Sequence, residues 1–271
     1  MQPQAILAII LASALSFALG TSMHANVAPR PTDDTFRMEM RLGSNLYMQT
    51  AAEYRACCLT VFESAKRRLD AIDAGKLKNA AVVLDLDETV LDNQAFESYL
   101  HRQSLEYTDD RWFVYESQFP GETRLVPGAK AFIDHAKQLG VTPVFISNRN
   151  VKYAEATAKA MRDLGIDPEP VADRLWLKDK LSDKTDRREA VAKKFRVVMW
   201  VGDNLRDFAE QDFLAGKGDP AQAIAARNAA VDRAGPHWGD DWFVLPNPAY
   251  GEWDKLIATD PYGKLRPTAM K

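Results

Sequence analysis

Three apolar runs in this sequence each end in a cluster of carboxylate, hydroxyl or amide side chains. The polar residues that follow the runs are Asp85, Asp87 and Thr89, then Ser147 and Asn148, then Asp203 and Asp207. Ligands of open parallel α/β sheets bind outside the carboxyl ends of the strands. We therefore expect these three clusters to meet at one edge of a sheet.

The converging aspartates predict a metal ion. Carboxylates held close together repel one another, and some take up protons unless a cation joins them. Hard oxygen ligands without cysteine or histidine favour Mg²⁺. We expect Asp85 and Asp203 to bind the ion directly, and Asp207, one helical turn beyond Asp203, to bind it through water.

A magnesium ion beside a carboxylate nucleophile indicates phosphoryl transfer. The ion and Lys184 would neutralise phosphate oxygens, so that an anionic nucleophile can approach them. Asp85 is the predicted nucleophile, which forms an aspartyl-phosphate, and Asp87 is the predicted acid and base. Ser147 and Asn148 are predicted to donate hydrogen bonds to the phosphate oxygens.

Each of these residues also has a purely structural interpretation. An isolated Asp-x-Asp pair is common in turns, whereas Asp-x-Asp-x-Thr directly after a buried strand is far more specific. Lys178 and Lys180 compete with Lys184 for the role of the fixed cation. Asp207 could be an ordinary residue of a helical turn, and Arg149 could be a surface residue or a substrate contact.

The elements that must position these residues alternate along the chain. We expect strands at 80–86, 141–146, 175–177, 197–201 and 242–245, with helices at 127–139, 153–164 and 186–195. This alternation predicts an α/β fold with a mainly parallel sheet and helices on both faces. A long helix at 45–74 precedes the sheet, and an aromatic-rich insertion at 93–124 interrupts the alternation.

The domain limits follow from these patterns. We expect a signal peptide at 1–25, an extended linker at 26–42 and a C-terminal tail at 263–271. Residues 43–78 and 93–124 are predicted to form a smaller helical accessory domain, and residues 79–92 and 125–262 the catalytic core. No repeat with a period of 20 to 50 residues interrupts this plan.

The N-terminus predicts export. The apolar stretch from Ala5 to Leu19 has the length of a signal-peptide core and is short for a membrane span. Because no Lys or Arg precedes Arg30, an uncleaved anchor is an alternative. No cysteine lies near the expected cleavage region, so we expect no lipid anchor and a soluble, secreted and periplasmic mature protein.

Composition limits the partners. The net charge of −3 is spread over mixed acids and bases, which argues against binding to a nucleic acid polymer. Cys57 and Cys58 are the only cysteines, and their number excludes a disulfide framework and a zinc site. The expected partner is a small phosphomonoester, and a homodimer is left open.

The sequence resembles the haloacid dehalogenase superfamily, in the branch of bacterial class C acid phosphatases that includes outer-membrane lipoprotein 5′-nucleotidases. The resemblance covers roughly 47–257. It is carried by matching stretches at Tyr47–Arg55, Asp85–Asn93, Val126–Gly128, Phe145–Arg149, Asp183–Lys184, Val201–Leu205 with Asp207–Phe208, and Leu245–Trp253.

The resemblance implies a Rossmann-like sheet with a small helical domain, and roles for individual residues. It implies that Asp85 is both nucleophile and Mg²⁺ ligand, that Asp87 adds a backbone carbonyl to the metal, and that Asp203 is the remaining protein ligand, with Asp207 as the outer carboxylate. Thr89, Ser147, Asn148 and Lys184 match positions that contact phosphate.

The resemblance further implies hydrolysis of nucleoside monophosphates and other phosphomonoesters at acidic pH. A nucleobase would stack between aromatic rings, with Tyr250 as one ring and Trp112 or Tyr115 as its partner. These aromatic residues could instead fill the core. Two other functions compete: a phosphatase for non-nucleotide esters, and a catalytically silent binding or storage protein on the same fold.

Overall fold

The alternation of apolar runs and helices predicts a parallel sheet, and the computed structural model contains one. The structure describes residues 33–214, 218–257 and 265. The strands are β1 (Ala80–Leu84), β2 (Leu91–Asp92), β3 (Arg124–Leu125), β4 (Thr142–Asn150), β5 (Leu175–Lys178), β6 (Arg196–Gly202) and β7 (Trp242–Val244). The main sheet has the order β5-β4-β1-β6-β7, and all neighbouring strands are parallel.

Helices cover both faces of this sheet. Their bounds are α1 (Asp33–Thr50), α2 (Ala52–Ala71), α3 (Gln94–Arg102), α4 (Asp109–Gln118), α5 (Ala129–Gln138), α6 (Ala154–Asp163), α7 (Val171–Arg174), α8 (Thr185–Lys194), α9 (Glu210–Phe213), α10 (Pro220–Arg233) and α11 (Glu252–Lys255). The predicted α/β class is therefore confirmed.

The central strand β1 shows why its sequence is apolar throughout. Side chains alternate between the two faces of a strand. Val82 and Leu84 belong to the larger core, whereas Ala81 and Val83 pack in a separate cluster with Val191 of α8. Because both faces of β1 are covered, every residue of the strand is buried.

The long N-terminal helix differs from its predicted form. Two helices replace it, because Ala51 adopts an extended conformation between α1 and α2. Helix α2 then packs on α5, where the Phe62 and Phe132 rings lie 5.6 Å apart. The Thr50 hydroxyl donates to the Leu46 carbonyl at this junction, a back-bond that favours helix distortion.

The predicted linker at 26–42 is wrong over its second half, because α1 begins at Asp33. Pro29 and Pro31, which suggested an extended segment, lie before this helix. The predicted signal peptide and residues 26–32 of the linker lie outside the described residues, as does the tail apart from residue 265.

The insertion at 93–124 is helical and has a small apolar centre of its own. Phe96 and Leu100 of α3 pack with Tyr115 of α4. The antiparallel pair of β2 and β3 holds the two ends of the insertion together. Residues 37–271 form one compact unit, and the division into an accessory domain and a core stays a prediction. No helix among the described residues is both long and apolar enough to cross a bilayer.

Candidate active site

The carboxylates at the ends of β1 and β6 lie together. The strand order reverses at β1, so the edge between β1 and β6 is the topological switch point at which such sheets bind ligands. The Asp85 backbone N–H donates to the Val201 carbonyl at 3.0 Å, which fixes the end of β1 against β6. Carboxylate oxygens of Asp85, Asp203 and Asp207 lie within 4.8 Å of one another, so the predicted convergence is confirmed.

Lys184 is the cation at this centre. Its Nζ donates to Asp85 Oδ1 at 2.6 Å and to Asp207 Oδ1 at 2.7 Å. The side chain is 7% exposed, and its backbone sits at the N-terminus of α8. Lys178 also lines the surrounding cavity, but among the described lysines only Lys184 donates to these carboxylates.

Asp203 is held by two neutral donors. Thr89 Oγ1 donates to Asp203 Oδ1 at 3.0 Å, and Asn247 Nδ2 donates to Oδ2 at 2.8 Å. Gly202 is required beside it, because a Cβ at this position would lie 2.3 Å from Asp207 Oδ2. The structure thus places Thr89 as a buried support of Asp203.

Electrostatics at the centre favour an added cation. Burial raises the pKa of Asp85 well above its usual value, and Asp207 and Asp203 add to this effect while Lys184 opposes it. Burial and Asp207 raise the pKa of Asp203 to about 7. Burial opposes the charge of Lys184, but Asp207 and Asp85 together hold its pKa above the usual value. One lysine therefore leaves the three carboxylates short of positive charge.

The donor set fits a hard divalent cation. All three groups offer carboxylate oxygen, and among the described residues no cysteine or histidine joins them. Mg²⁺ prefers such ligands and often leaves part of its coordination to water and to substrate phosphate. A dication here would relieve the repulsion that raises the pKa of Asp85 and Asp203.

Asp87 sits in a second, tightly bonded network. Arg149 Nε and Asn93 Nδ2 both donate to Asp87 Oδ1 at 2.8 Å. Ser147 Oγ donates to Oδ2 at 3.3 Å, and Arg149 Nη2 donates to Asn93 Oδ1 at 2.9 Å. Two donors thus fix Oδ1, while Oδ2 has one long contact and is the freer oxygen for proton transfer.

Arg149 is a buried positioning residue. Its residue exposure is 2%, which excludes the surface alternative raised by the sequence. Burial opposes its charge, but Asp87 raises the pKa of the guanidinium, so Arg149 stays charged. β4 extends to Asn150, so it carries Ser147, Asn148 and Arg149 within the strand and not after it.

Glu88 joins the catalytic loop to the C-terminal segment. Its backbone takes the left-handed conformation with φ of 57°, and its side chain is buried. Glu88 Oε1 accepts from the Asn93 backbone N–H at 3.0 Å, and Oε2 accepts from the Tyr250 hydroxyl. Burial raises the pKa of Glu88 well above its usual value. Tyr250 is thus tied to the loop of Asp85 and Asp87.

A cavity of about 570 Å³ opens onto these residues. Asp85, Asp87, Asn148 and Lys184 line it, whereas Ser147 is fully buried behind Asp87. Asn148 is held by Arg187, whose Nη2 donates to its side-chain oxygen at 2.7 Å.

The aromatic candidates separate into two groups. Tyr250 and Trp112 line the cavity, whereas Tyr115 is 6% exposed and packs against Phe96. The Tyr115 hydroxyl shares a hydrogen bond with Thr123. Tyr107 also lines the cavity and is 47% exposed, a placement that the sequence pattern did not single out.

Several functional residues were missed because no local pattern marks them. Asn93 ends the stretch Asp85–Asn93, and its position in that stretch is the only sequence feature that connects it with the site. Arg187 lies shortly after Lys184, and Asn247 lies within the stretch Leu245–Trp253, but only packing shows that Arg187 holds Asn148 and that Asn247 holds Asp203.

Fold and site together define a class. This is a Rossmann-like sheet whose switch point gathers aspartates and a lysine beside a cavity, the place at which enzymes of this fold class bind their ligands.

Comparison with known proteins gives the family. The model of the HAD superfamily, subfamily IIIB (acid phosphatase), matches residues 11–253. The chain belongs to this family of haloacid dehalogenase-like acid phosphatases and is a phosphoric monoester hydrolase.

Solved structures agree with this assignment. The class C acid phosphatase from Bacillus anthracis is 30% identical and has a TM-score of 0.71, with 81% of this chain and 89% of that chain covered. A structure of the class C acid phosphatase from Bacillus anthracis with tungstate bound is 31% identical, also with a TM-score of 0.71, and covers 81% and 88%.

Proposed function

We propose that this acid phosphatase hydrolyses small phosphomonoesters, including nucleoside 5′-monophosphates, through an aspartyl-phosphate on Asp85 and with Mg²⁺ as cofactor. The observation that carries the proposal is the meeting of Asp85, Asp203 and Asp207 within 4.8 Å beside Lys184. This arrangement provides a nucleophile, a set of metal ligands and a fixed cation at one point.

The first half-reaction forms the phosphoenzyme. A carboxylate oxygen of Asp85 attacks phosphorus, and the bond from phosphorus to the ester oxygen breaks. Asp87 gives its proton to the departing oxygen, so the leaving group departs as a neutral alcohol. Lys184 stabilises negative charge on the transferring group, and Asn148 at the cavity wall donates to a phosphate oxygen.

The second half-reaction regenerates the enzyme. Asp87, now ionised, takes a proton from a water molecule as the water oxygen attacks phosphorus. The bond between phosphorus and Asp85 breaks, and inorganic phosphate leaves. Arg149 and Asn93 hold Asp87 Oδ1 during both halves, so that the same carboxyl serves first as acid and then as base.

The proposed metal ligands are Asp85 and Asp203, with the backbone carbonyl of Asp87 and, through water, Asp207. Bound there, Mg²⁺ would supply positive charge to the phosphate oxygens and keep Asp85 ionised. The donor chemistry supports this choice, as does the shortage of positive charge around the three carboxylates.

Two features support nucleotides as substrates. The cavity has room for a small organic group beside the phosphate, and Tyr250, Trp112 and Tyr107 offer flat rings along its wall. Stacking on such rings accepts every nucleobase. The class C acid phosphatase from Bacillus anthracis has a structure with tungstate bound, and tungstate is a tetrahedral oxyanion like phosphate, which supports a phosphate ester as the substrate of this chain.

The test is phosphate release by Asp85→Asn. We expect the variant to lose at least about 10⁴-fold in kcat, because the amide cannot act as a nucleophile. The control is Asp163→Asn, which alters an exposed aspartate paired with Lys159. Mass spectrometry of acid-quenched protein should find the added phosphoryl group on Asp85 in the wild type only. Full activity in Asp85→Asn would exclude the mechanism.

A substrate panel separates the nucleotide proposal from the alternative of non-nucleotide esters. We expect higher kcat/KM for nucleoside 5′-monophosphates than for sugar phosphates. Equal values for the two classes would favour the alternative. A protein that releases no phosphate from any ester in the presence of magnesium would be a binding protein.

We also propose that the protein is exported to the periplasm. The apolar stretch at 5–19 supports this proposal. Cell fractionation followed by N-terminal sequencing tests it. Cytoplasmic protein that retains residues 5–19 would contradict it.

A further inference from the structure

The outer wall of the cavity contains a carboxylate that pairs with none of the described residues. This wall is built by residues of α1, α3, α4 and α11 and by the segment before α4; those that line the cavity are Arg41, Glu97, Tyr107, Asp109, Trp112, Glu252, Asp254 and Lys255. Among all the described residues that line the cavity, acidic residues are twice as numerous as basic residues. The wall therefore carries more negative charge than its own cations balance.

Glu97 is the unusual member of this wall. The residue is 8% exposed, and it lines the cavity. Among the described residues, none donates a hydrogen bond to its carboxylate or forms an ion pair with it. Its two carboxylate oxygens are not fully enclosed by protein atoms, so they are accessible from the cavity that the residue lines.

The neighbouring acidic residues do have partners. Asp109 Oδ1 accepts from the Tyr107 hydroxyl at 3.2 Å, and Asp254 Oδ1 accepts from the Gly251 backbone N–H at 3.2 Å. Arg41 of α1 is the cation that lowers the pKa of Glu97, but its guanidinium forms an ion pair with Glu106 at 3.2 Å. Glu97 is thus left as the free acceptor on this wall of the described chain.

A buried, ionised carboxylate is unfavourable unless a hydrogen-bond donor or a cation pairs with it. The pKa of Glu97 is raised to about 7, chiefly by burial; Arg41 lowers it, and Asp254 and Glu106 add to the rise. A carboxylate charge that is largely removed from water and has no partner is unfavourable in general. A donor or cation that enters the cavity would remove this penalty.

We propose that Glu97 is a specificity residue that accepts a hydrogen bond from an amino group of the leaving group. The phosphatase would then prefer phosphomonoesters whose leaving group carries an N–H donor or an ammonium group. This inference rests on the proposed function, because it concerns the leaving group that departs from the Asp85 centre.

The other occupants of this position fit less well. The phosphate itself is an anion, so Glu97 repels it and cannot belong to the phosphate subsite. A metal ion would need further close ligands, and among the described residues the group of acidic side chains with metal-binding spacing is the one around Asp85. The leaving group is the part of the substrate that extends away from the phosphate into this cavity.

The experiment compares matched esters. ω-Aminoalkyl phosphates with two to six carbons and the corresponding alkyl phosphates differ only in the terminal amino group. Guanosine and inosine 5′-monophosphates likewise differ by one amino group. kcat/KM is measured for each pair with the wild type, Glu97→Gln and the control Asp110→Asn, at a pH above the pKa of Glu97. Asp110 is exposed, lies on α4 and does not line the cavity.

We expect the wild type and Asp110→Asn to favour an aminated ester by about 10-fold to 100-fold, the range for a hydrogen bond to a charged group. In Glu97→Gln this preference should fall to about twofold or less, while the alkyl phosphates keep their kcat/KM. Retained hydrolysis of the alkyl phosphates also shows that the variant is folded.

The contrary outcomes are distinct. Hydrolysis of both members without any preference in the wild type overturns the inference and leaves the proposed function standing. A preference that persists in Glu97→Gln overturns the inference in the same way. Absence of phosphate release from every ester overturns the proposed function, and the inference with it.

Discussion

The two ends of the cavity are built on different principles. At the inner end, Asp85, Asp203 and Lys184 follow strands or begin a helix packed on the sheet, and each is held by several hydrogen bonds. At the outer end, Tyr107 and Trp112 belong to the insertion, and Glu97 has no partner among the described residues. We therefore expect the chemistry to depend on the strand ends, and substrate choice to depend on the helices of the insertion and the C-terminal segment that line the outer end.

The difference has a physical reason. Phosphoryl transfer needs groups fixed to a fraction of an ångström, and backbone pairing in a sheet supplies this precision. Recognition of a leaving group needs only complementary surface, which exposed rings and one acceptor can provide. Substitutions at the inner end should thus lower kcat, whereas substitutions at the outer end should change KM and selectivity.

After Asp85→Asn, the largest effect is expected at the inner end, for Asp203→Asn and for metal removal. Each should lower kcat by at least about 10³-fold, since the charge at the transferring phosphate is no longer balanced. Phosphate release is measured after chelation and again after adding Mg²⁺ or Ca²⁺. Activity that persists in excess chelator would break the proposed link between the carboxylates and a metal.

Next comes Arg149, which orients Asp87. Arg149→Met should lower kcat by about 10²-fold to 10³-fold with little change in KM, because Asp87 loses its main anchor. Arg149→Lys should recover part of the loss, and Arg162→Met, which alters an arginine paired with Glu155 and Glu169 on the surface, is the control. Melting temperatures separate this effect from unfolding. An unchanged kcat in both Arg149 variants would refute the positioning role.

A smaller effect is expected at Tyr250, which links the two ends. Tyr250→Ala should raise KM for a nucleoside 5′-monophosphate by about tenfold, and leave KM for a short alkyl phosphate nearly unchanged. Tyr250→Phe keeps the ring and removes the hydrogen bond to Glu88, so it isolates the tie to the catalytic loop. Equal changes for both substrates in Tyr250→Ala would argue against stacking.

The smallest effect is the pH dependence of the free energy of unfolding that Glu116 of the insertion causes. Thr157 Oγ1 donates to Glu116 Oε1 at 2.8 Å, but Oε2 is sealed without a partner among the described residues. Burial raises the pKa of Glu116 to about 7. The folded state thus binds more protons than the unfolded state, so Glu116 lowers stability as pH rises from its unfolded pKa to about 7.

Glu116→Gln removes this dependence. We expect the variant to be more stable than the wild type above about pH 7 by about 1–3 kcal/mol, with the difference shrinking toward about pH 4.5. Urea unfolding at several pH values measures it, and the exposed Glu155→Gln is the control. A stability difference that grows as pH falls would contradict the assignment.

Much of the fold follows from periodicity alone. The apolar runs predict the bounds of β1 and β6 to within one or two residues. Gly140, which was expected to end a helix, has a positive φ and follows the end of α5 at Gln138. The errors lie where local signals are weak. Because of Pro29 and Pro31, the predicted linker extends beyond Asp33, where a helix in fact begins. The spacing of apolar residues does not reveal that Ala51 divides the long helix into two.

The sequence by itself determined the inner end of the cavity. Asp85, Asp87 and Asp203 follow apolar runs that a parallel sheet must bury, and the carboxyl ends of such strands meet by geometry. The chemistry of close carboxylates then indicates a cation without any coordinates.

Only the tertiary structure decided the rest. Arg149 bonds Asp87 across 62 positions in sequence, and Asn247 reaches Asp203 across 44. Which rings line the cavity, with Tyr107 inside and Tyr115 buried, depends on how the helices of the insertion pack. The same holds for Glu97, which has no partner within the described part of the chain. Contacts of this range arise from packing between elements, and no periodicity or spacing within one element encodes them.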